Sequence, residues 1–216
     1  MLRYIIGFGG PAEHGKSTCA KFAAKYLLEH GYIHKPAYLA AFAERLKEAC
    51  KILFRLTDDD VYTTNGKKKT QQHLGPRCTT RVLLQKYGSE LGRDSLHAII
   101  PELEMLTNAS LWVWNIEQDI LEDTKRSVIV QDVRFPDEEK MLRKYNAVMI
   151  NVVRPEYQSS CATSDHKSET SQSDITFDYT IVNDGSLWDL EQKIGSIMTE
   201  VNNKAVQLAK FDNINI

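Results

Sequence analysis

Gly10-Pro-Ala-Glu-His-Gly15-Lys16-Ser17, reached from the apolar run Arg3-Tyr-Ile-Ile-Gly-Phe8 through Gly9, is the stretch on which the reading of this chain turns. It matches G-x-x-x-x-G-K-[ST] between a β-type run and a helical pattern, the setting in which that motif has a mechanism. The glycines let the backbone wind tightly, so that successive N–H groups point at phosphate oxygens, and the following helix adds its positive N-terminus. Lys16 then carries charge to the β- and γ-phosphates of a nucleoside triphosphate, and Ser17 offers a hydroxyl to Mg²⁺. After the loop, Ala20, Ala23, Ala24, Leu27 and Leu28 recur at i, i+3, i+4, i+7 and i+8, one face of a helix that Gly31 ends.

Further runs repeat the alternation. Ala37 to Phe42 leads into a helical pattern over Glu44 to Phe54, and Ser127 to Gln131, Ala147 to Val153 and Asp178 to Val182 are short and largely apolar. Such runs alternating with helices predict a parallel sheet covered on both faces, an α/β fold of five strands. The 216 residues suit one domain, or one domain with an insertion. Net charge is −2, with 27 Lys and Arg against 29 Asp and Glu, which argues against a nucleic-acid binder. No apolar run is long enough to span a membrane, and the N-terminus lacks the pattern of a signal peptide. The four cysteines, Cys19, Cys50, Cys78 and Cys161, are scattered without metal-ligand spacing and read as reduced thiols of a cytoplasmic protein.

Two stretches break the rhythm. Thr57 to Arg81 carries Asp58-Asp59-Asp60 and Lys67-Lys68-Lys69, and Ser159 to Asp174 is rich in Ser and Thr. Both read as solvated loops, or as segments that close over a substrate. At the end of the third strand stands Gln131-Asp132-Val133-Arg134. Ligands of open parallel sheets sit beyond the carboxyl ends of strands. If the third strand neighbours the first, Asp132 faces Lys16 and Ser17 and can hold Mg²⁺ or orient an acceptor, while Arg134 neutralises a transferring phosphoryl group. The alternative is that Asp132 caps the helix beginning near Pro136 and Arg134 pairs with Glu138 or Glu139.

In order along the chain stand Phe42-Ala43-Glu44-Arg45-Leu46-Lys47-Glu48, Arg81-Val-Leu-Leu84-Gln85-Lys-Tyr-Gly88-Ser89-Glu90-Leu-Gly92-Arg93, Asp132-Val-Arg134-Phe135-Pro136-Asp137-Glu138, His166-Lys-Ser168-Glu169 and Asn183-Asp184-Gly185-Ser186. With the phosphate loop, this ordered set resembles the P-loop deoxynucleoside monophosphate kinases of bacteriophages and other DNA viruses, from Gly7 to about residue 194. The resemblance implies transfer of a phosphoryl group from ATP, with Mg²⁺, to a deoxynucleoside monophosphate. It also implies an acceptor-binding insertion over about 43–125 and a lid over about 154–176 within one P-loop kinase domain. The nucleotide-binding set expected is Gly10, His14, Gly15, Lys16, Ser17, Thr18 and Arg154. Lys16, Asp132 and Arg134 are the catalytic set, with the metal at Ser17 and Asp132. By resemblance Arg81, Gln85 and Arg93 take the acceptor, with Arg134.

The residues suit that chemistry on their own terms. A monophosphate acceptor brings a dianion beside the ATP γ-phosphate, and the planar fork of Arg binds phosphate bidentately. The stretch Arg81 to Arg93 reads as a helix burying Leu83, Leu84, Tyr87 and Leu91; Arg81 and Gln85, four apart, share a face. Gln85 can bond a base edge, and Trp112 either stacks on the base or is core. Lys47 either reaches the acceptor phosphate or is solvated. By the resemblance Arg154 starts the lid and covers the ATP phosphates or adenine, and His166 takes a local structural or lid role. The turn at Asn183 either borders the adenine or is a plain turn. His14, where small residues are common, either narrows the site or touches the acceptor. Two rivals remain: a kinase of another small acceptor, such as the animal phosphomevalonate kinases, and a regulatory ATPase. The expected partner is a deoxynucleoside monophosphate, with no nucleic acid and no membrane, in the cytoplasm (the host's, if the source is viral); a homodimer is left open.

Overall fold

A computed structural model of the chain describes residues 2–106, 110–155, 157 and 171–212. The five apolar runs become β1 (Ile5–Gly9), β2 (Tyr38–Ala40), β3 (Val128–Val133), β4 (Val148–Val153) and β5 (Tyr179–Val182). They form one parallel sheet in the order β2-β3-β1-β4-β5. The strand that feeds the phosphate loop is therefore central, flanked by β3 and β4. Tyr4, Ile6 and Phe8 face one side of the sheet, joining Ile129, Ile150 and Val152 in a core closed by Cys19, Ala20, Ala23 and Leu27 of α1 (Lys16–Glu29). The C-terminal helix, α9 in chain order (Leu187–Asp212), adds Leu190, Ile194 and Met198. On the opposite side Gly7 leaves room for Met149 and for Leu142 of α8 (Pro136–Arg143); a Cβ there would stand 2.7 Å from the Met149 sulfur. Helices thus cover both faces, as expected of strands buried on both sides.

The chain divides into two compact units, Met1–Ala40 with Ile120–Ile216, and Ala41–Asp119. The sheet belongs to the first. The second contains α2 (Phe42–Phe54), α3 (Asp58–Tyr62), α4 (Thr64–Lys68), α5 (Thr80–Gln85), a π-helix over Lys86–Ser95, α6 (Leu96–Ile99) and most of α7 (Leu111–Glu122). Its small core gathers Cys50, Leu56 and Val61 with Leu46, Phe54, Leu83, Leu84 and Tyr87. No described helix is long and apolar enough to cross a membrane.

Two sequence expectations need correction here. Thr57 to Arg81 is not a solvated loop. Thr57, Thr63 and Thr79 each cap a helix, accepting from the amides of Asp60, Gly66 and Val82. The acidic run fills the first turn of α3 and Lys67 and Lys68 the last turn of α4, so both charge runs complement helix dipoles. Asp60 is buried (3% exposed), accepting from the Thr57 amide at 2.9 Å, the Thr57 hydroxyl at 2.7 Å and Gln71 Nε2 at 3.0 Å. The Thr57 amide is the largest influence holding its carboxyl well below the usual carboxylate range.

The second correction concerns Arg81 to Arg93, which is not one α-helix. After α5 the backbone winds as a π-helix, its last bond running from the Leu96 amide to the Leu91 carbonyl, five residues back. Its most buried positions are Gly88 and Gly92, with Leu91 only half-buried. A Cβ on Gly92 would lie 2.4 Å from Trp112 Cζ2, and one on Gly88 would lie 2.7 Å from Leu46 Cδ2. The Trp112 indole also donates to the Gly88 carbonyl at 2.7 Å. Packing against these two neighbours occupies the space where ordinary helix positions would carry side chains.

Candidate active site

The phosphate loop is shaped by its glycines. Gly10 has φ 119° and Gly15 φ 102°, a left-handed backbone that L side chains rarely adopt. A Cβ on Gly10 would lie 2.3 Å from the Val152 carbonyl, and one on Gly15 would lie 2.8 Å from Asn183 Nδ2. Lys16 is buried, and its ammonium donates to the carbonyls of Gly10 and Pro11, both at 2.6 Å. Its charge is thereby held against the loop it serves. Ser17 is exposed and Thr18 half-buried in the first turn of α1, where backbone amides lack helical partners.

His14 neither faces outward nor hangs free. It is buried, its Nδ1 accepts the Arg154 amide at 2.9 Å, and its carbonyl accepts Asn183 Nδ2 at 3.0 Å. The loop is thus stapled to the ends of β4 and β5. Because a backbone N–H can only donate, Nδ1 carries a lone pair and the ring is in its Nε2–H form. Glu13, the loop's other unusual residue with φ 66°, accepts from the Tyr157 hydroxyl at 3.1 Å, and the Arg154 guanidinium lies 5.0 Å from the Tyr157 ring centre. Residues 156 and 158–170, with His166 and most of the expected lid, lie outside the described residues.

On the other side of β1, the register with β3 runs Ile5↔Val128, Ile6↔Ile129 and Gly7↔Val130, then shifts to Gly9↔Val133. One extra residue stands on β3 at Gln131–Asp132, a bulge of the kind that re-aims side chains beside a site. Asp132 therefore comes from the carboxyl end of the strand next to the one that feeds the phosphate loop. The amides of Arg134 and Phe135, at the start of α8, are taken by buried Glu138 at 2.7 and 3.1 Å. Cys19, one turn into α1, has its thiol pushed up to about 12 by burial and is no nucleophile.

Within the second unit, Arg81 and Gln85 share one face of α5, and Arg93 lies in the π-helix; all three are half-buried. Lys47 of α2 stands with its ammonium 4.8 Å from the centre of the Tyr62 ring and 3.7 Å from Glu44. The Tyr62 hydroxyl donates to Glu44 and, at 2.8 Å, to Glu48. Trp112 is only 6% exposed, with its ring on Gly92 and its N–H on Gly88, so the structure places it in the core that shapes the π-helix rather than on a surface open to a base. Glu13, Tyr157 and the Asn183 side chain as props of the loop escaped the sequence reading. The only signal for them was the non-small pair Glu13-His14 inside a motif that usually prefers small residues.

A family model of the deoxynucleotide monophosphate kinases matches residues 77–194, more than half of the chain. A putative deoxynucleotide monophosphate kinase of Acanthamoeba polyphaga mimivirus is 31% identical over 195 residues, covering 88% of this chain and 93% of the relative. A deoxynucleoside-5'-monophosphate kinase of Escherichia phage T5 is 36% identical over 95 residues, 42% of this chain and 33% of the relative. A cytidylate kinase of Lactococcus lactis is 32% identical over 87 residues, 38% of this chain and 40% of the relative.

Proposed function

Because the chain belongs to the deoxynucleotide monophosphate kinase family, we propose that its phosphate loop holds ATP while Arg81, Gln85 and Arg93 hold the deoxynucleoside monophosphate that is phosphorylated. The protein is a phosphotransferase producing the deoxynucleoside diphosphate. The observation that carries the assignment is the loop itself, two left-handed glycines around an ammonium already fixed on the Gly10 and Pro11 carbonyls. Phosphoryl transfer asks for in-line positioning and charge neutralisation more than for covalent chemistry, and these residues supply both.

In this reading the amides of the loop and of the first turn of α1, Thr18 among them, bind the β- and γ-phosphates. Lys16 leaves its two carbonyls to neutralise the oxygens between donor and product, and Arg134 covers charge on the group in transfer. Ser17 and Asp132 supply hard oxygen donors of the kind Mg²⁺ prefers. Bound there, the ion would add positive charge across the phosphates. Arg154, fixed at its amide by His14, shields the triphosphate from water. Lys47, held over Tyr62, completes the cations of the acceptor set, and Trp112 serves it indirectly by shaping the helix that carries Arg93. The substrates are nucleotides, so the reaction belongs in the cytoplasm, the host's if the source is viral.

The test at the site is Lys16→Met. Removing a cation that acts chiefly on the transferring group is expected to lower kcat by about a hundredfold or more while circular dichroism shows the fold retained. A variant with wild-type kcat would remove Lys16, and with it this use of the loop, from the mechanism.

A further inference from the structure

Five polar residues recur at intervals of four through α5, the π-helix and α6: Arg81, Gln85, Ser89, Arg93 and His97. Each is half-buried. The residue after each one, from Val82 through Lys86, Glu90 and Asp94 to Ala98, is exposed, and Gly88 and Gly92 just before two of them are buried. The five thus form one continuous polar edge beside the unit's interior. On an α-helix a four-residue step overshoots a turn by about 40°, so sixteen residues would spread such a set through about 160°. The wider π winding, with more than four residues per turn, undershoots by roughly 30° per step. Alternating the two geometries keeps the line straight, which assigns the π-helix a purpose.

The far end of that edge is chemically incomplete. His97 Nδ1 is buried and has no hydrogen-bond partner among the described residues. A buried imidazole nitrogen that has lost water without gaining a partner is costly, and such groups call for an explanation such as a ligand. We propose that His97 is an additional acceptor contact, donating from Nδ1 to the phosphate of the deoxynucleoside monophosphate beside Arg93; this rests on the acceptor role given above to Gln85 and Arg93. The polarity of the edge favours the phosphate over the base. Gln85 presents both a donor and an acceptor, which suits a base edge, whereas Arg93 and an imidazole N–H are donors for an all-acceptor dianion. Arg93 and His97 stand four residues apart at one end of the edge, so a nucleotide read at Gln85 with its phosphate end turned that way meets two donors there, where Arg81 at the other end offers one.

Steady-state kinetics with dAMP, dCMP, dGMP and dTMP test this on the whole chain. If the wild type turns over none of them, the proposed function itself fails. With the preferred acceptor, His97→Ala is expected to raise the acceptor KM about tenfold and leave the KM for ATP unchanged. His97→Asn, whose amide nitrogen can stand where Nδ1 stood, is expected to restore the wild-type value, whereas His97→Gln, which reaches instead toward the Nε2 position, is not. Calorimetric binding of the corresponding deoxynucleoside, which lacks the phosphate, should be equal in wild type and His97→Ala. An unchanged acceptor KM in His97→Ala would overturn the proposal. So would rescue by Gln rather than Asn, or equal losses for nucleotide and nucleoside. Should His97→Ala fail to fold, the contrast between Asn and Gln decides alone.

Discussion

His14 shows how a single side chain changes the character of a familiar loop. Its Nδ1 and its carbonyl tie the loop to Arg154 and Asn183, a pair of bonds that brings the first turn after β4 and the first residue after β5 to the same loop residue. Truncation to His14→Ala removes the acceptor of the Arg154 amide, and the KM for ATP is expected to rise about fivefold with the acceptor KM unchanged, as one lost neutral hydrogen bond implies. Steady-state kinetics in both substrates check the split; a change confined to the acceptor KM would instead put His14 at the acceptor. Asp60 makes a second prediction at this scale. Its carboxyl titrates lower in the folded chain than in the unfolded one, where it is near 3.9, so its stabilisation is complete above that value and is lost as pH falls through the lower folded value. Asp60→Ala should cost about 3 kcal/mol in urea unfolding, with the deficit constant from neutral pH to about pH 5 and shrinking only in stronger acid. A deficit that shrinks near neutral pH would contradict the assignment.

Among the elements, the π-helix is where packing overrides local preference. In an ordinary exposed helix Gly→Ala stabilises by about 1 kcal/mol. Here the new methyl of Gly92→Ala would meet the Trp112 ring, so the change is expected to destabilise by about 1–3 kcal/mol, measured by chemical denaturation. A stabilised variant would refute the wedge. The same element marks the boundary of what the sequence discloses. The strands and α1 were legible because Val128-Ile-Val130 or Ile5-Ile6 can only be buried, and because the glycine loop fixes where β1 stops and α1 starts. The three Thr caps were also written in the chain, yet the adjacent charge runs drew the reading toward a loop. The π winding was not legible, because it depends on Leu46 and Trp112 filling space at Gly88 and Gly92 from 42 and 20 residues away in sequence. Of the two readings open for Trp112 the core one holds, and its burial depends on a glycine that pattern reading treats as a motif letter.

For the molecule as a whole, the sheet order places the phosphate loop at the centre, between the strand that carries Asp132 and the strand that ends just before Arg154. The residues assigned to the acceptor, Arg134 apart, come from the stretch between β2 and β3, and they form a second compact unit with its own small core. Chain order therefore puts the phosphate loop in one unit and most of the residues proposed for the acceptor in the other. That set was legible only through the resemblance to a family, and the partners that prop each side chain were not legible at all. The central claim is that phosphoryl transfer from ATP requires a deoxynucleoside monophosphate. The most direct measurement is ADP release with Mg²⁺-ATP, comparing each deoxynucleoside monophosphate with its ribonucleotide, with phosphomevalonate and with no acceptor. Turnover that depends on a deoxynucleoside monophosphate, with the matching diphosphate formed, is the predicted result. Equal ADP release without any acceptor, or release only with phosphomevalonate, would contradict it.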